Sequence, residues 1–391
     1  MMNKIPKGWE VKKLGEICEI NPKTEILLLN ESDEVSFIPM ASVEAETNIF
    51  TESKSKFSKV KKGYTKFRDN DILFAKITPC MENGKICIVN NLKFGIGFGS
   101  TEFHVIRPNK NTLSKYIYYF VSQISFRQMA QIYMTGAVGQ RRVPSKILEN
   151  FEIPLPPLSE QKAIADKLDD SFAKIENAIT NLINAKENLK LYKQSVLKSA
   201  FNGDLLPNTS PTQRKKVKFE DVLKYEQPTK YIVKSTKYNN DFKTPVLTAG
   251  KGFILGYTNE TEGIFTNTPV IIFDDFTTSS QYVNFHFKVK SSAMKILRPA
   301  DNVNLKFLFY KMQTIQHKSD THKRYWISEY AKLEIPLPPL SEQNLIVAEI
   351  DRRFAIVDKT LNLIDKSIQN AKNLKQSILK KAFSGELRSE I

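Results

Sequence analysis

Three cysteines in 391 residues, Cys18, Cys80 and Cys87, form no Cys-x-x-Cys pair, and their odd number argues against a disulfide framework. Histidine is scarce too. His317 and His322 stand five apart, which does not put both imidazoles on one helix face, and no His-Glu-x-x-His occurs, so no metal site is expected. No apolar run approaches the ~20 residues a membrane helix needs, and the N-terminal MMNKIPKGWEVKKL lacks the apolar stretch of a signal peptide. A reducing, cytoplasmic location is the expectation. Phosphate cradles are missing as well: Gly250-Lys251 lacks the upstream glycine of a P-loop. Gly95-x-Gly97-x-Gly99 leads into a strand-like run instead of a helix and reads as a turn. Glu160-Gln161-Lys162 resembles the tail of a nuclease motif, but its place behind prolines at a helix start makes capping the better account. No catalytic constellation is left.

Negative charge is the other thing in short supply. The chain carries 58 Lys and Arg against 42 Asp and Glu, a net +16. The excess is +7 over residues 1–151 and +6 over 217–333, but only +1 over 160–201 and +3 over 342–383. The short link 206–216 adds +3 through Arg214, Lys215 and Lys216. Two separate regions therefore hold most of the positive charge, where a polyanion such as DNA or RNA would find it.

What the chain does have is a repeat. Glu152-Ile-Pro-Leu-Pro-Pro-Leu-Ser-Glu-Gln161 recurs unchanged as Glu334 to Gln343, and the two copies run 54 residues at a constant offset of 182 with 25 identities. That period is a duplicated domain, not a short solenoid repeat of 20–50 residues. In each copy three prolines hold the approach extended. Ser159 is then a good N-cap, Glu160 places negative charge in the first turn, and Gly203 and Gly385 stop the helices.

Within the first helix Leu168, Ile175, Leu182, Leu189 and Val196 follow at sevens beside Phe172 and Ile179. The second gives Ile350, Val357, Ile364 and Ile378, with Ala371 small between them, beside Phe354, Leu361 and Ile368. Such a sustained heptad stripe is a coiled-coil seam. The two helices are expected to pair antiparallel, with the globular regions at opposite ends of a rod; the alternative is that each helix pairs with another protein.

Residues 1–151 read as mixed α+β. Strand-like runs at Asp71–Ala75, Lys85–Val89 and Thr101–Ile106 precede one stretch of helical spacing from Leu113 to about Ile132, through Tyr116, Phe120, Ile124 and Met129. Residues 217–333 repeat that order loosely, with runs at Val270–Phe273, Tyr282–Phe287 and Met294–Pro299 and a helix near 304–316. The corners Ile106-Arg107-Pro108 and Leu297-Arg298-Pro299 match, as do the openings at Val11 and Val217. Expected domains are 1–151, a helical region 152–206, a linker 207–216, a second lobe 217–333 and a helical region 334–391.

In this order the residues resemble the specificity subunit of type I restriction–modification systems, over essentially the full length. The Pro-Leu-Pro-Pro-Leu-Ser-Glu-Gln approaches and the Ala-Phe-x-Gly-x-Leu exits at Ala200–Leu205 and Ala382–Leu387 look like that family's repeated regions. Phe67-x-x-x-Asp71-Ile-Leu-Phe-Ala-Lys76-Ile-Thr-Pro79, with Glu82-Asn-Gly-Lys85 and Gly99-Ser-Thr-Glu102, resembles one class of its target recognition domains. Val246-Leu-Thr-Ala-Gly250 with Gly256-Tyr-Thr258, and Phe273-Asp-Asp-Phe276 with Ser291-Ser-Ala-Met294, resembles another. The resemblance implies an α+β fold of two target recognition domains on an antiparallel coiled coil with an internal pseudo-two-fold. It implies a non-catalytic DNA reader, each lobe taking one half of a split, asymmetric target in double-stranded DNA. Two methyltransferase subunits would bring S-adenosylmethionine; restriction subunits would bring ATP and Mg. Two competing classes are a coiled-coil adaptor whose basic lobes bind an acidic protein and an autonomous nuclease or methyltransferase, the latter disfavoured by the missing motifs.

Candidate DNA contacts are the tools that suit adenine, guanine and phosphate. In the first lobe they are Lys76, Thr78, Asn83 and Lys85 in one polar loop, and Gln140, Arg141 and Arg142 behind Gly136-Ala-Val-Gly139. The second lobe offers Thr277, Thr278, Ser279 and Gln281, with Lys323, Arg324 and Tyr325 at its far end beside His322.

Overall fold

Each proline-rich decapeptide begins as a strand. Glu152–Leu155 pairs antiparallel with Glu10–Lys13, and Glu334–Leu337 pairs with Lys215–Lys218, so each lobe's opening segment is stitched to its helix approach. Proline suits these two-stranded ribbons because its missing N–H faces away from the ladder. The computed structural model describes residues 5–26, 29–206, 214–248, 252–315 and 324–387. Contacts divide the chain into two units, residues 1–182 with 366–391 and residues 183–365. Each unit holds one lobe and a stretch of both long helices, Leu158–Asn202 and Leu340–Ser384, 45 residues apiece.

In the first unit, strands Cys18–Ile20, Phe103–Pro108, Ile72–Ala75 and Ile86–Ile88 lie side by side in that order. A second sheet runs Ser53–Lys56, Glu34–Ile38, Ile96–Gly99 and Thr65–Arg68, with one parallel pair, Glu34–Ile38 on Ile96–Gly99. The second unit repeats the first sheet: Leu223–Glu226, Met294–Pro299, Val270–Asp274 and Ser280–Val283 stand in the equivalent order. Its other sheet has three strands, Ile254–Thr258, Thr244–Leu247 and Lys288–Val289. The matched Arg-Pro corners end equivalent strands, pairing Cys18 with Pro108 and Leu223 with Pro299. Duplication thus reaches the lobes, as their order in the sequence suggests.

The helices pair with each other and run antiparallel. In the second unit Lys186 meets Asp365 at 2.6 Å and Lys193 meets Asp358 at 2.5 Å; in the first, Lys375 meets Glu176 at 2.5 Å. Higher numbers on one helix face lower numbers on the other. Every heptad residue, from Leu168 to Val196 and from Ile350 to Ile378, is buried or half-buried. Between them Ile183, Leu191, Ile356 and Leu363 are exposed. Burial follows the stripe and not hydrophobicity alone. At the helix ends the seam merges with the lobe cores: Ile164, Leu168, Leu379 and Phe383 join Tyr116 and Phe120 in one cluster, and Val196, Phe201, Ile346 and Ile350 join Phe307 and Trp326 in another.

Three expectations need correction. The helical stretch 113–132 is two helices, Ser114–Val121 and Ile124–Ile132, because Ser122 Oγ and the Gln123 amides turn back to the carbonyls of Tyr118 and Phe120. The break rotates the second helix onto Phe126 and Ala130, leaving Met129 and Ile132 exposed. Gly97 and Gly99 lie within a strand, not a turn: a Cβ on Gly97 would meet the Phe67 ring at 2.2 Å. Only Gly95, at φ +68°, is a turn glycine. The run Tyr282–Phe287 shortens to a strand over Ser280–Val283. His317, His322 and most of the link 207–216 lie outside the described residues.

Candidate nucleic-acid interface

The segment behind Gly136 is a β-hairpin. Thr135 and Arg142 exchange both backbone hydrogen bonds, at 3.0 and 2.8 Å, and between them Gly136 and Gly139 take φ +120° and +81°. Glycine is required there because side chains rarely adopt a positive φ. Val138 at the tip is fully exposed, and Gln140, two residues on, is also exposed. The base of the hairpin is held firmly. Arg142 donates a forked pair of bonds to Glu102, Nε to Oε2 at 2.9 Å and Nη2 to Oε1 at 2.7 Å. This guanidinium, bonded to Glu102, holds that carboxyl below the usual range. Next in chain, Val143 ties to Lys76 through backbone, and its carbonyl accepts from His104 Nε2 at 2.7 Å. A carbonyl only accepts, so His104 carries its proton on Nε2 and Nδ1 accepts from Asn21 at 2.9 Å. Burial lowers the His104 pKa, which keeps the ring neutral.

The candidates therefore separate by what already occupies them. Arg142 is engaged by Glu102, and Lys85 donates to the Met40 carbonyl at 3.0 Å. Thr78 Oγ1 donates to Glu82 at 3.0 Å. Asn83 is exposed, with its amide N–H on the Pro79 carbonyl. Arg141 differs: its carbonyl accepts from Thr78 N–H at 3.0 Å, while its guanidinium has no partner among the described residues. Beside this loop lies an open groove lined by Lys23, Tyr64, Lys66 and Lys76 with Asn21 and Thr24. None of its three lysines is ion-paired among the described residues. Lys23, Tyr64 and Lys66 escape sequence reading. Tyr64 immediately precedes the strand Thr65–Arg68 that carries Lys66, but only the fold brings residues 23, 64–66 and 76 together.

In the second lobe Thr277, Thr278 and Ser279 form the turn between strands Val270–Asp274 and Ser280–Val283, with Thr278 at φ +61°. Thr277 Oγ1 bonds Asp274 at 2.5 Å and Ser279 at 3.1 Å, so the turn largely satisfies itself. Gln281 stands exposed on the neighbouring strand, opposite Ile272. Tyr325 is a correction. Only 2% of it is exposed, because its amide donates to the Asp275 carbonyl at 2.8 Å and Trp326 beside it caps onto the Asp275 carboxylate at 2.8 Å. Asp275 in turn meets the buried Lys295 at 3.3 Å. That anchor leaves Arg324 exposed at the head of the short helix Tyr325–Ser328, its guanidinium without a partner among the described residues. Lys323 lies outside the described residues.

Among the described residues no cluster of His, Cys, Asp and Glu could hold a metal, and no helix is long and apolar enough to cross a membrane. Burial raises the pKa of the Cys18 and Cys87 thiols, that of Cys87 up to about 12.

The model of the type I restriction modification DNA specificity domain matches this chain twice, over residues 6–185 and 211–371. The EcoEI specificity subunit of Escherichia coli is 33% identical over 287 residues, covering 62% of this chain and 47% of that protein. Its EcoR124I/EcoR124II counterpart, from the same species, is 47% identical over 149 residues, 35% of this chain and 37% of that one. These matches take in less than half of each relative's length. A solved chain from work on complex assembly and conformational transition of the type I R-M system has a TM-score of 0.76 at 22% identity, covering 97% of this chain and 99% of its own, a likeness of fold. With one model matched twice, lobe and helix each time, the chain belongs to the type I restriction modification DNA specificity domain family.

Proposed function

We propose that this chain is the DNA-recognition subunit of a type I restriction–modification complex, each lobe reading one half of a split, asymmetric target in double-stranded DNA. The observation that carries this is the duplication itself: one scaffold repeated with 25 identities in 54 residues bears two lobes that have diverged in their second sheet. Equivalent frames with unequal readers suit unequal half-sites. Cations with no ion pair among the described residues, at Arg141, the Lys23–Lys66–Lys76 groove and Arg324, supply the attraction for phosphate or guanine.

The chain itself does no chemistry in this reading. Two methyltransferase subunits bind S-adenosylmethionine and modify the base, and restriction subunits with ATP and Mg cut. The paired helices set the gap between half-sites and dock the methyltransferase subunits. Leu345, Ile356 and Leu363, 11 and 7 residues apart, share one exposed face of the second helix, which suits such a partner. The purified chain alone is expected to transfer no methyl group. Methylation-site sequencing of a host expressing it with its partners should reveal one split motif. Exchanging residues 217–333 for a relative's lobe should change one half of that motif; both halves changing together would refute the two-reader model.

Within a lobe, Arg141→Ala is expected to weaken target binding by ~1–3 kcal/mol and relax one half-site if it reads a base, or to lower affinity evenly and flatten the salt dependence if it holds phosphate. Arg324→Ala should do the same for the other half-site. Neither guanidinium has a partner among the described residues, so melting should not change. Undiminished affinity in both variants, measured by titration at two salt concentrations, would remove these segments from the interface.

A further inference from the structure

Each lobe is clasped to the long helices by the same small constellation. In the first unit Lys115 and Tyr119 both bond Asp169 of the long helix. In the second unit Lys306 and Tyr310 both bond Asp351, at 2.6 and 2.5 Å. The four-residue spacing puts lysine and tyrosine on one face of their lobe helices, Ser114–Val121 and Leu305–Met312. Each tyrosine also stands edge-on to a phenylalanine three residues beyond the aspartate: Tyr119 on Phe172 at 5.4 Å, Tyr310 on Phe354 at 5.6 Å. A lysine of the opposite helix covers that ring, Lys375 at 4.9 Å and Lys193 at 4.7 Å. Asp169/Asp351, Phe172/Phe354 and Lys193/Lys375 are all identities of the repeat.

Nothing in the core requires this. Lobe and helix already share a large apolar cluster in each unit. Apolar contact is non-directional, so it docks a lobe without fixing its angle. A carboxylate receiving an ammonium and a phenol is short-range and directional. Burial, and then the aspartate beside it, raises the pKa of both phenols, so each remains a donor across the working pH range. The lever is long: a tilt of about 10° over a lobe of roughly 25 Å moves its far face by about 4 Å, more than one base-pair step of ~3.4 Å.

We propose that Asp169 and Asp351 are positioning residues that fix the angle of each lobe on the helices and thereby the one spacer length the protein accepts. This rests on the DNA-reading function proposed above. The test uses the chain assembled with its methyltransferase subunits, selecting from a DNA library with both half-sites fixed and spacer length varied. A second library has the spacer fixed and the half-sites varied. In Asp169→Ala/Asp351→Ala the half-site sequences should be unchanged, while preference for the best spacer over its neighbours falls roughly tenfold, the factor that one charge-assisted hydrogen bond carries. Tyr119→Phe/Tyr310→Phe removes two oxygen atoms only and should give a smaller fall, which keeps the test open if the alanine variant folds poorly. The exchange Lys115→Glu with Asp169→Lys should restore discrimination lost in Asp169→Ala. Unchanged spacer discrimination in the alanine and phenylalanine variants, with half-sites still read, overturns the clasp and leaves the DNA-reading function standing. Loss of half-site selectivity at undiminished melting also overturns it, since the residues would then belong to the reading surface. If the parent protein selects no split motif in either library, the function itself fails.

Discussion

Ile364→Asp is expected to lower the melting temperature sharply and abolish specific DNA binding, while Leu363→Asp, one residue earlier, should leave melting unchanged: this is the outcome the helix pairing requires. Both are leucine-like side chains on the same helix. Ile364 is 7% exposed and Leu363 is 54% exposed. An aspartate at 364 loses the buried isoleucine and puts an unpaired carboxylate into an apolar seam, a cost of about 3–5 kcal/mol. At 363 the same carboxylate stays in water and gives up little. Leu182→Asp should fall between the two because Leu182 is half-buried. Calorimetry of the three variants, with target binding measured on the folded fraction, is the check. Equal melting for 363 and 364 would show that the helices do not pair along the heptad stripe.

Lengthening both helices by one heptad is expected to lengthen the preferred spacer by about three base pairs. The insertion keeps the seam in phase, since the stripe repeats every seven residues. It must fall at facing levels, such as beside the Lys186–Asp365 contact, so that the antiparallel ion pairs beyond it are restored. Seven residues add about 10.5 Å at ~1.5 Å per residue, and DNA rises ~3.4 Å per base pair. Three base pairs also turn one half-site by close to a third of a turn, at ~10–10.5 base pairs per turn. Affinity at the longer spacer is therefore expected to be lower than that of the parent at its own. A heptad in one helix alone should misalign the pair and weaken binding at every spacer. Selection from a library of spacer lengths reads all three proteins at once; an unchanged spacer in the doubly lengthened chain would falsify the ruler.

Much of the frame is legible in one dimension because its signals are periodic and local. The decapeptide repeat, the heptads from Leu168 to Val196 and the stop glycines need no long-range knowledge, and the seam falls where the stripe places it. The lobes are less legible. Periodicity through Met129 and Ile132 extends a helix that the chain breaks at Ser122–Gln123, because side-chain and backbone bonds to the preceding turn compete with helix propagation there. Gly97 and Gly99 look like turn residues until Phe67 and the Ile38 carbonyl, from neighbouring strands, are seen to occupy the space of their missing side chains.

The sequence by itself determined the duplication, the coiled-coil seam and the basic lobes, since each of these is written in spacing or composition. The tertiary structure alone decided which charges are engaged among the described residues. Arg141 and Arg142 are neighbours with the same chemistry, yet Glu102, 40 residues away, engages one and leaves the other open. Tyr325 adjoins Arg324, yet Asp275 draws its backbone inward and buries it. The clasps on Asp169 and Asp351 join helices 50 and 41 residues apart in sequence. Pairing between distant groups depends on where the backbone brings them, and an electrostatic or hydrogen-bonded contact a few ångströms long leaves no periodic trace in the chain.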